Sequence, residues 1–242
     1  PKKNLPALVE AFGRDPALRR RANLAIFAGV RGDIAASDEE ARAVYTDLLL
    51  AADRHDLWGS IALPKRHEPA DVPELYRLAA QRRGVFVNPA LTEPFGLTLL
   101  EAAASGLPVV ATADGGPRDI VANCRNGLLV DPRDVDALSR ALAEALSDPA
   151  RWGHWARNGV RRVRDTYSWD GHVARYLSLV ARLLGVRQTL HPIPCNRGIG
   201  RHHAVHAMAT QGVRDQLHLR VVEVRRDLHE QRHAPPVLVG QA

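Results

Sequence analysis

The sequence predicts an α/β protein: a Rossmann-like parallel sheet with helices on both faces. Short, continuously apolar runs recur between Asn23 and Val130, each stopped by Gly, Pro or Asp and followed by a stretch of helical periodicity. Strands apolar along their whole length are buried on both faces, and strands that alternate with helices pair in parallel. The composition agrees. A chain of 242 residues that is 45% hydrophobic and 25% charged has the balance of a globular protein, which excludes collagen, low-complexity disorder and a membrane bundle.

The elements follow in order. Asn23–Ala28 is an apolar run ending at Gly29 and reads as the first strand. Ser37, with Glu40 three residues on, forms a capping box opening a helix to about Ala52. Gly59–Leu63 is a second strand, stopped by Pro64. Asp71 caps a helix that carries Leu75, Tyr76, Leu78 and Ala79 on one side and ends near Gly84. Val85–Val87 is a third strand, and Leu97–Ala104 a short helix closed by Gly106. Pro108–Ala111, the helix Gly116–Ala122 and the strand Gly127–Val130 come next. Three helices complete the body: Asp134–Leu146, Pro149–Thr166 and Trp169–Leu184.

One full domain is expected over residues 1–185. The remainder, 186–242, is different material: it has no Phe, Trp or Tyr, eight Arg but no Lys, and seven of the eleven His. It carries +4 of the formal +6, so the body is nearly balanced and no nucleic-acid partner is indicated. Val213–Glu230 is its one, weakly periodic, helical candidate. His202, His203 and His206 have i, i+4 spacing, but no Cys or carboxylate stands at ligand distance, so they read as solvated rather than metal-binding. The tail is expected to be irregular and dispensable for the fold of the body, and its composition resembles a shifted reading frame of a GC-rich gene. Cys124 and Cys195 are too few for a disulfide scaffold or zinc cluster and read as reduced thiols of a cytoplasmic protein. No run approaches the ~20 apolar residues that cross a bilayer. No secretory signal opens the chain, and a start at Pro1 rather than Met reads as a fragment.

Ligands of such sheets bind beyond the carboxyl ends of the strands. After the third strand comes Asn88-Pro89-Ala90-Leu91-Thr92-Glu93-Pro94-Phe95-Gly96-Leu97-Thr98-Leu99-Leu100-Glu101, a turn feeding a helix amino terminus. The backbone N–H groups of Gly96, Leu97 and Thr98 are expected to point outward and, with the helix dipole, to suit a phosphate or diphosphate. Glu93 lies beside that anion site and Glu101 lies further along the helix, eight residues on. A carboxylate beside an anion site is better placed to accept from sugar or ribose hydroxyls. Taken singly, each Glu reads as a solvated surface residue; the combination, joined by a second glycine-rich turn at Gly115-Gly116-Pro117, is far more specific.

The Glu-x7-Glu arrangement resembles the retaining nucleotide-sugar glycosyltransferases of the GT-B fold, and within them the sucrose-phosphate synthases. Lys2-Lys3-Asn4, Val72–Ala80, Gly84–Ala90, Gly106–Thr112, Asn126–Pro132 and Ser168-Trp169 with His172 carry the likeness through Gly185; the tail matches nothing recognised. The resemblance implies the C-terminal, donor-binding domain of such an enzyme. It implies that Lys3 contacts the diphosphate and that Glu93 holds the donor sugar, these two being the catalytic residues. It further implies that Phe95, Gly96, Leu97 and Thr98 bind the diphosphate and that Glu101 takes the ribose hydroxyls. An arginine partner of Lys3 would precede Pro1. Where the family often has Gly-Asn-Arg-Asp-Asp, this chain has Gly29-Val30-Arg31-Gly32-Asp33.

The implied reaction transfers glucose from UDP-glucose to fructose 6-phosphate with retention, by same-face attack, with no bound metal and no cofactor. The acceptor site belongs to an N-terminal domain outside this sequence, so the chain alone is expected to bind without turnover. A non-catalytic nucleotide-sugar-binding fragment, or a hexosyltransferase with another donor such as GDP-mannose, are the alternatives. The base pocket is expected near Ile61–Arg66, and His55, His67, His154 and His172 as packing or surface residues.

Overall fold

The computed structural model describes residues 2–28, 32–184 and 235–241. The chain forms helices α1 (Leu5–Arg14) and α2 (Pro16–Arg21), strand β1 (Asn23–Phe27), helix α3 (Glu39–Arg54), strand β2 (Ile61–Ala62), helix α4 (Val72–Gln81) and strand β3 (Val85–Asn88). Then follow α5 (Leu97–Ala104), β4 (Val109–Thr112), α6 (Pro117–Cys124), β5 (Gly127–Val130), α7 (Val135–Ser147), α8 (Pro149–Tyr167), α9 (Trp169–Leu183) and β6 (Val237–Gln241). Two compact units are distinguished: Pro1–His172 with Ala234–Ala242, and Val173–His233. The division falls inside α9 rather than after it. Of the second unit only the rest of α9 and Leu184 are described.

The six strands form one parallel sheet in the order β2-β1-β6-β3-β4-β5. β3 and β4 are buried at every position, as their unbroken apolar runs require. Alternate strand residues face two cores. Leu24, Ile26, Val85, Val87, Val110 and Leu238 pack with α1, α3 and α7, whereas Phe86, Val109, Ala111 and Val239 pack with α4, α5 and α6. On α8, Trp152 donates from Nε1 to the carbonyl of Gly84 at 2.8 Å, pinning that helix to the start of β3.

Most elements stand within two residues of their expected bounds. Three differences have physical causes. Helix α3 is capped by Asp38, which accepts from the N–H of Ala41 at 2.8 Å; Ser37 lies one residue outside, its hydroxyl donating to the carbonyl of Asp33. A carboxylate is the stronger cap and displaces the expected Ser37–Glu40 box. Asp71 precedes α4 but its side chain accepts from the N–H of Glu68 and makes no cap, while Leu78 on that helix is exposed. The third difference is in the tail. The irregular tail expected over 186–242 gives way at its end to β6, which sits in the middle of the sheet with Leu238 and Val239 buried. A parallel slot open on both sides offers two ladders to any short β-branched run, a gain that composition cannot display. His202, His203, His206, Cys195 and the candidate helix at 213–230 lie outside the described residues.

Candidate functional site

The site grows from the carboxyl end of β3. Asn88, the last residue of that strand, is buried; its Oδ1 accepts from the N–H of Ala90 at 3.1 Å and so shapes the turn. Its Nδ2 donates to Oε2 of Glu93 at 3.2 Å. The N–H of Gly96 donates to Oε1 of the same carboxylate at 3.1 Å. The third partner comes from the far end of the sequence: Lys3 Nζ donates to Glu93 Oε2 at 3.0 Å. Lys3 is held there because its neighbours are tied down. The carbonyl of Lys2 accepts from the N–H of Leu91 at 2.9 Å, and Asn4 Nδ2 donates to the carbonyl of Pro132 at 2.8 Å.

The turn Gly115-Gly116 clamps this loop from the β4 side. Glu93 and Gly115 form a parallel bridge; the N–H of Gly116 donates to the carbonyl of Glu93 at 2.9 Å. Gly115 has φ +88°, and a Cβ there would stand 2.2 Å from that carbonyl oxygen. Only glycine permits the approach. Thr92 Oγ1 also donates to Asp114 at 3.0 Å across the same junction.

Glu93 is therefore not a solvated loop residue but 8% exposed. Burial raises its pKa, but hydrogen bonds from Lys3, Asn88 and Gly96, together with the charge of Lys3, outweigh burial and hold the carboxyl below the ordinary glutamate range. The expected anion site is also altered. The N–H of Gly96 is taken by Glu93, which acts as an internal anion at the start of α5. Leu97 and Thr98 occupy the first helical positions, whose N–H groups have no partner within the helix. Phe95 is 79% exposed at the mouth of the site. Glu101 does not join the Glu93 cluster. It lies further along α5, half-buried beside Tyr76 of α4; burial raises its pKa, and burial with the charge of Glu101 raises that of the Tyr76 phenol.

On the same carboxyl edge, beyond β1, lies a cleft of about 480 Å³ lined by Phe27, Arg66, His67, Asp71, Glu74, Leu75 and Leu78. The His67 ring meets Phe27 edge-on at 5.7 Å, and its buried Nδ1 has no hydrogen-bond partner. The other histidines pack: Nε2 of His55 lies 2.8 Å from Oε2 of Glu10, Nε2 of His154 lies 3.0 Å from Nδ2 of Asn158, and His172 lies edge-on to Trp169. Asn88 was missing from the sequence-derived set; its signal was a polar residue closing an otherwise apolar strand. Gly29, Val30 and Arg31 lie outside the described residues, whereas Asp33 accepts from the N–H of Ala35 in a local turn. Among the described residues no helix is long and apolar enough to cross a membrane.

Comparison with known proteins gives these features a context. A family model described as glycosyl transferases group 1 matches residues 1–162. The chain is 52% identical over 181 residues to a sucrose-phosphate synthase of Zea mays and 47% identical over 181 residues to that of Spinacia oleracea, in each case over 75% of this chain. It spans about 17% of the length of these curated relatives. Among solved structures, the sucrose-phosphate synthase of Thermosynechococcus elongatus aligns at TM-score 0.60 and 29% identity, covering 76% of this chain and 43% of that one. HepE of Anabaena, solved in complex with UDP, aligns at TM-score 0.59 and 22% identity, covering 76% of this chain and 46% of that one, and shares the fold.

Proposed function

Because the chain belongs to the group 1 glycosyltransferases, we propose that it is the donor-binding half of a retaining hexosyltransferase. The reaction is the one named by its nearest-sized likenesses: glucose passes from UDP-glucose to fructose 6-phosphate, giving sucrose 6-phosphate and UDP. The observation that carries the reading is the convergence of Lys3, Asn88 and the α5 amino terminus on Glu93, at the carboxyl edge where a doubly wound sheet takes its ligand.

In this reading the diphosphate lies over the first turn of α5, with the N–H groups of Leu97 and Thr98 and the Lys3 ammonium facing it. Lys3 then lies between the Glu93 carboxylate and the diphosphate, and the negative charge that grows on the leaving group meets a cation and a helix dipole already in place. Glu93, fixed at both oxygens, accepts from hydroxyls of the donor sugar and holds the anomeric carbon. Glu101 accepts from the ribose hydroxyls, and the cleft at His67 receives the base beside the Ile61–Arg66 segment. No second carboxylate is paired with Glu93 at the spacing of a double displacement, which fits same-face attack on the anomeric carbon. Charge on the diphosphate is balanced by Lys3 and the helix, so the reaction as drawn uses no metal. The acceptor sugar phosphate is bound by a companion domain, and the buried thiol of Cys124, raised to about 11 chiefly by burial, is inert and fits a cytoplasmic protein.

Calorimetry of the purified chain with UDP and with UDP-glucose tests this. Weak binding of both, and no product from fructose 6-phosphate in a coupled assay, are expected. Turnover by the chain alone would remove the companion-domain claim. Tighter binding of GDP than of UDP would move the donor to another hexose, and binding of neither nucleotide would sink the donor reading.

A further inference from the structure

Strand β6 comes last in the chain yet stands in the middle of the sheet, parallel to β1 on one side and to β3 on the other. Counted from β6, the order β2-β1-β6-β3-β4-β5 becomes 3-2-1-4-5-6, the usual order of a doubly wound sheet. In that order the ligand crevice opens where the winding reverses, between the first and fourth strands. Here those are β6 and β3, and β3 ends at Asn88, the residue that holds Glu93.

We infer that residues 237–241 are the structural first strand of a circularly permuted doubly wound sheet and form one wall of the donor crevice, so that docking of this strand and nucleotide binding reinforce each other. The seat is built for it. Leu238 enters the core shared with α1, α3 and α7, and Val239 enters the opposite core. The ladder with β1 continues past the strand, the N–H of Asn23 donating to the carbonyl of Pro236 at 2.9 Å. Gly84 opens the entry beside β3: a Cβ there would lie 1.9 Å from the carbonyl oxygen of Val237, a backbone atom that cannot step aside. Gly240 lies under α1, where a Cβ would come within 2.7 Å of Leu8 Cδ2.

Helix α1 thus rests on β6, and Lys3 stands just ahead of α1, against Glu93. This is the physical link between the strand and the site. Loss of β6 takes the floor from beneath the helix that places Lys3. By reciprocity, a ligand that binds only the arranged site draws the strand into place. The ends also meet at one edge. Lys2 bonds to the loop after β3, while Gln241 pairs with Phe27 at the carboxyl end of β1. A strand moved from the end of the chain to a place ahead of Lys2 would therefore need only a short connection.

The coupling rests on the donor reading; the strand assignment does not, and hydrogen exchange on the full chain separates them. Amides of residues 238–240 should exchange at least about 100-fold more slowly than a free chain end, and more slowly again with saturating UDP. A chain with residues 235–242 transplanted ahead of Lys2 should melt within a few degrees of the original and bind UDP within about threefold. Exchange of 238–240 at the free-chain rate overturns the strand. A transplanted chain that does not melt cooperatively overturns the permutation. UDP that binds by calorimetry yet leaves exchange at 238–240 unchanged overturns the coupling alone. Slow exchange at 238–240 with no UDP binding upholds the strand and overturns the donor reading together with the coupling.

Discussion

Glu93 and Glu101 are the same residue type eight positions apart, and their surroundings push them in opposite directions. Glu93 is held ionised by Lys3, Asn88 and the Gly96 N–H against the cost of burial. Its folded pKa is depressed, so its stabilisation is present above the unfolded pKa and is lost as pH falls through the folded value. Denaturant midpoints measured across about pH 3–6 should fall towards acid, and Glu93→Gln should flatten that fall. Glu101 has a raised folded pKa from burial. The folded state holds its proton longer, so this group lowers stability as pH rises from the unfolded towards the folded pKa. The ionised form is the better acceptor for ribose hydroxyls. UDP affinity should therefore rise with pH through the same window, and Glu101→Gln should lose that dependence in calorimetry. Removal of the acceptor in Glu101→Ala should weaken UDP by roughly tenfold to a hundredfold, the loss of about 1.5–3 kcal/mol for a bond to a charged group. An unchanged affinity would remove Glu101 from the ribose.

At the scale of elements, the decisive contact joins two turns. The loop from Thr92 to Gly96 and the turn from Asp114 to Gly116 hold each other by three backbone hydrogen-bond or bridge contacts around Glu93. The second glycine-rich turn has this use: it brackets the first and makes no direct claim on the ligand. Gly115→Ala puts a methyl group on the Glu93 carbonyl at a positive φ. About 1–3 kcal/mol of strain is expected, seen as a drop of several degrees in melting temperature. UDP binding should fall with it, because Glu93 and Gly96 move together. A variant that melts lower but binds UDP as before would show that the clamp supports the sheet and not the site. Helix α1 is placed by a comparable approach: at Gly13 a Cβ would lie 2.4 Å from His55 of α3, whose ring pairs with Glu10.

At the scale of the molecule, β6 carries more than its length suggests. Burying Leu238 and Val239 contributes about 1.5–3 kcal/mol each, and removing the strand exposes the facing ladders of β1 and β3. Against a total stability of about 5–15 kcal/mol that is a large share. Deletion of residues 235–242 should lower the melting temperature by more than about 10 °C or abolish cooperative melting altogether. A truncated chain that melts like the whole would return the tail to the dispensable role its composition suggests.

The alternation of apolar runs with helical stretches was enough to place β1 to β5 and seven of the helices within a residue or two, because each of those runs is buried on both faces and shows it locally. The segment from Asn88 to Glu101 was legible for the same reason: its turn, glycine and helix start are consecutive. Helices α1 and α2 were passed over, although Leu5, Leu8, Val9 and Phe12 repeat at helical spacing. What could not be read was every relation that spans the chain. The Lys3–Glu93 pair joins residues 90 positions apart, Gly115 answers to a carbonyl rather than to its own turn, and β6 gains its ladders from strands more than 140 residues earlier. Local pattern reports what a residue prefers; a slot between two parallel strands is a property of its neighbours, and it turned a five-residue apolar run in a weakly patterned tail into the centre of the sheet.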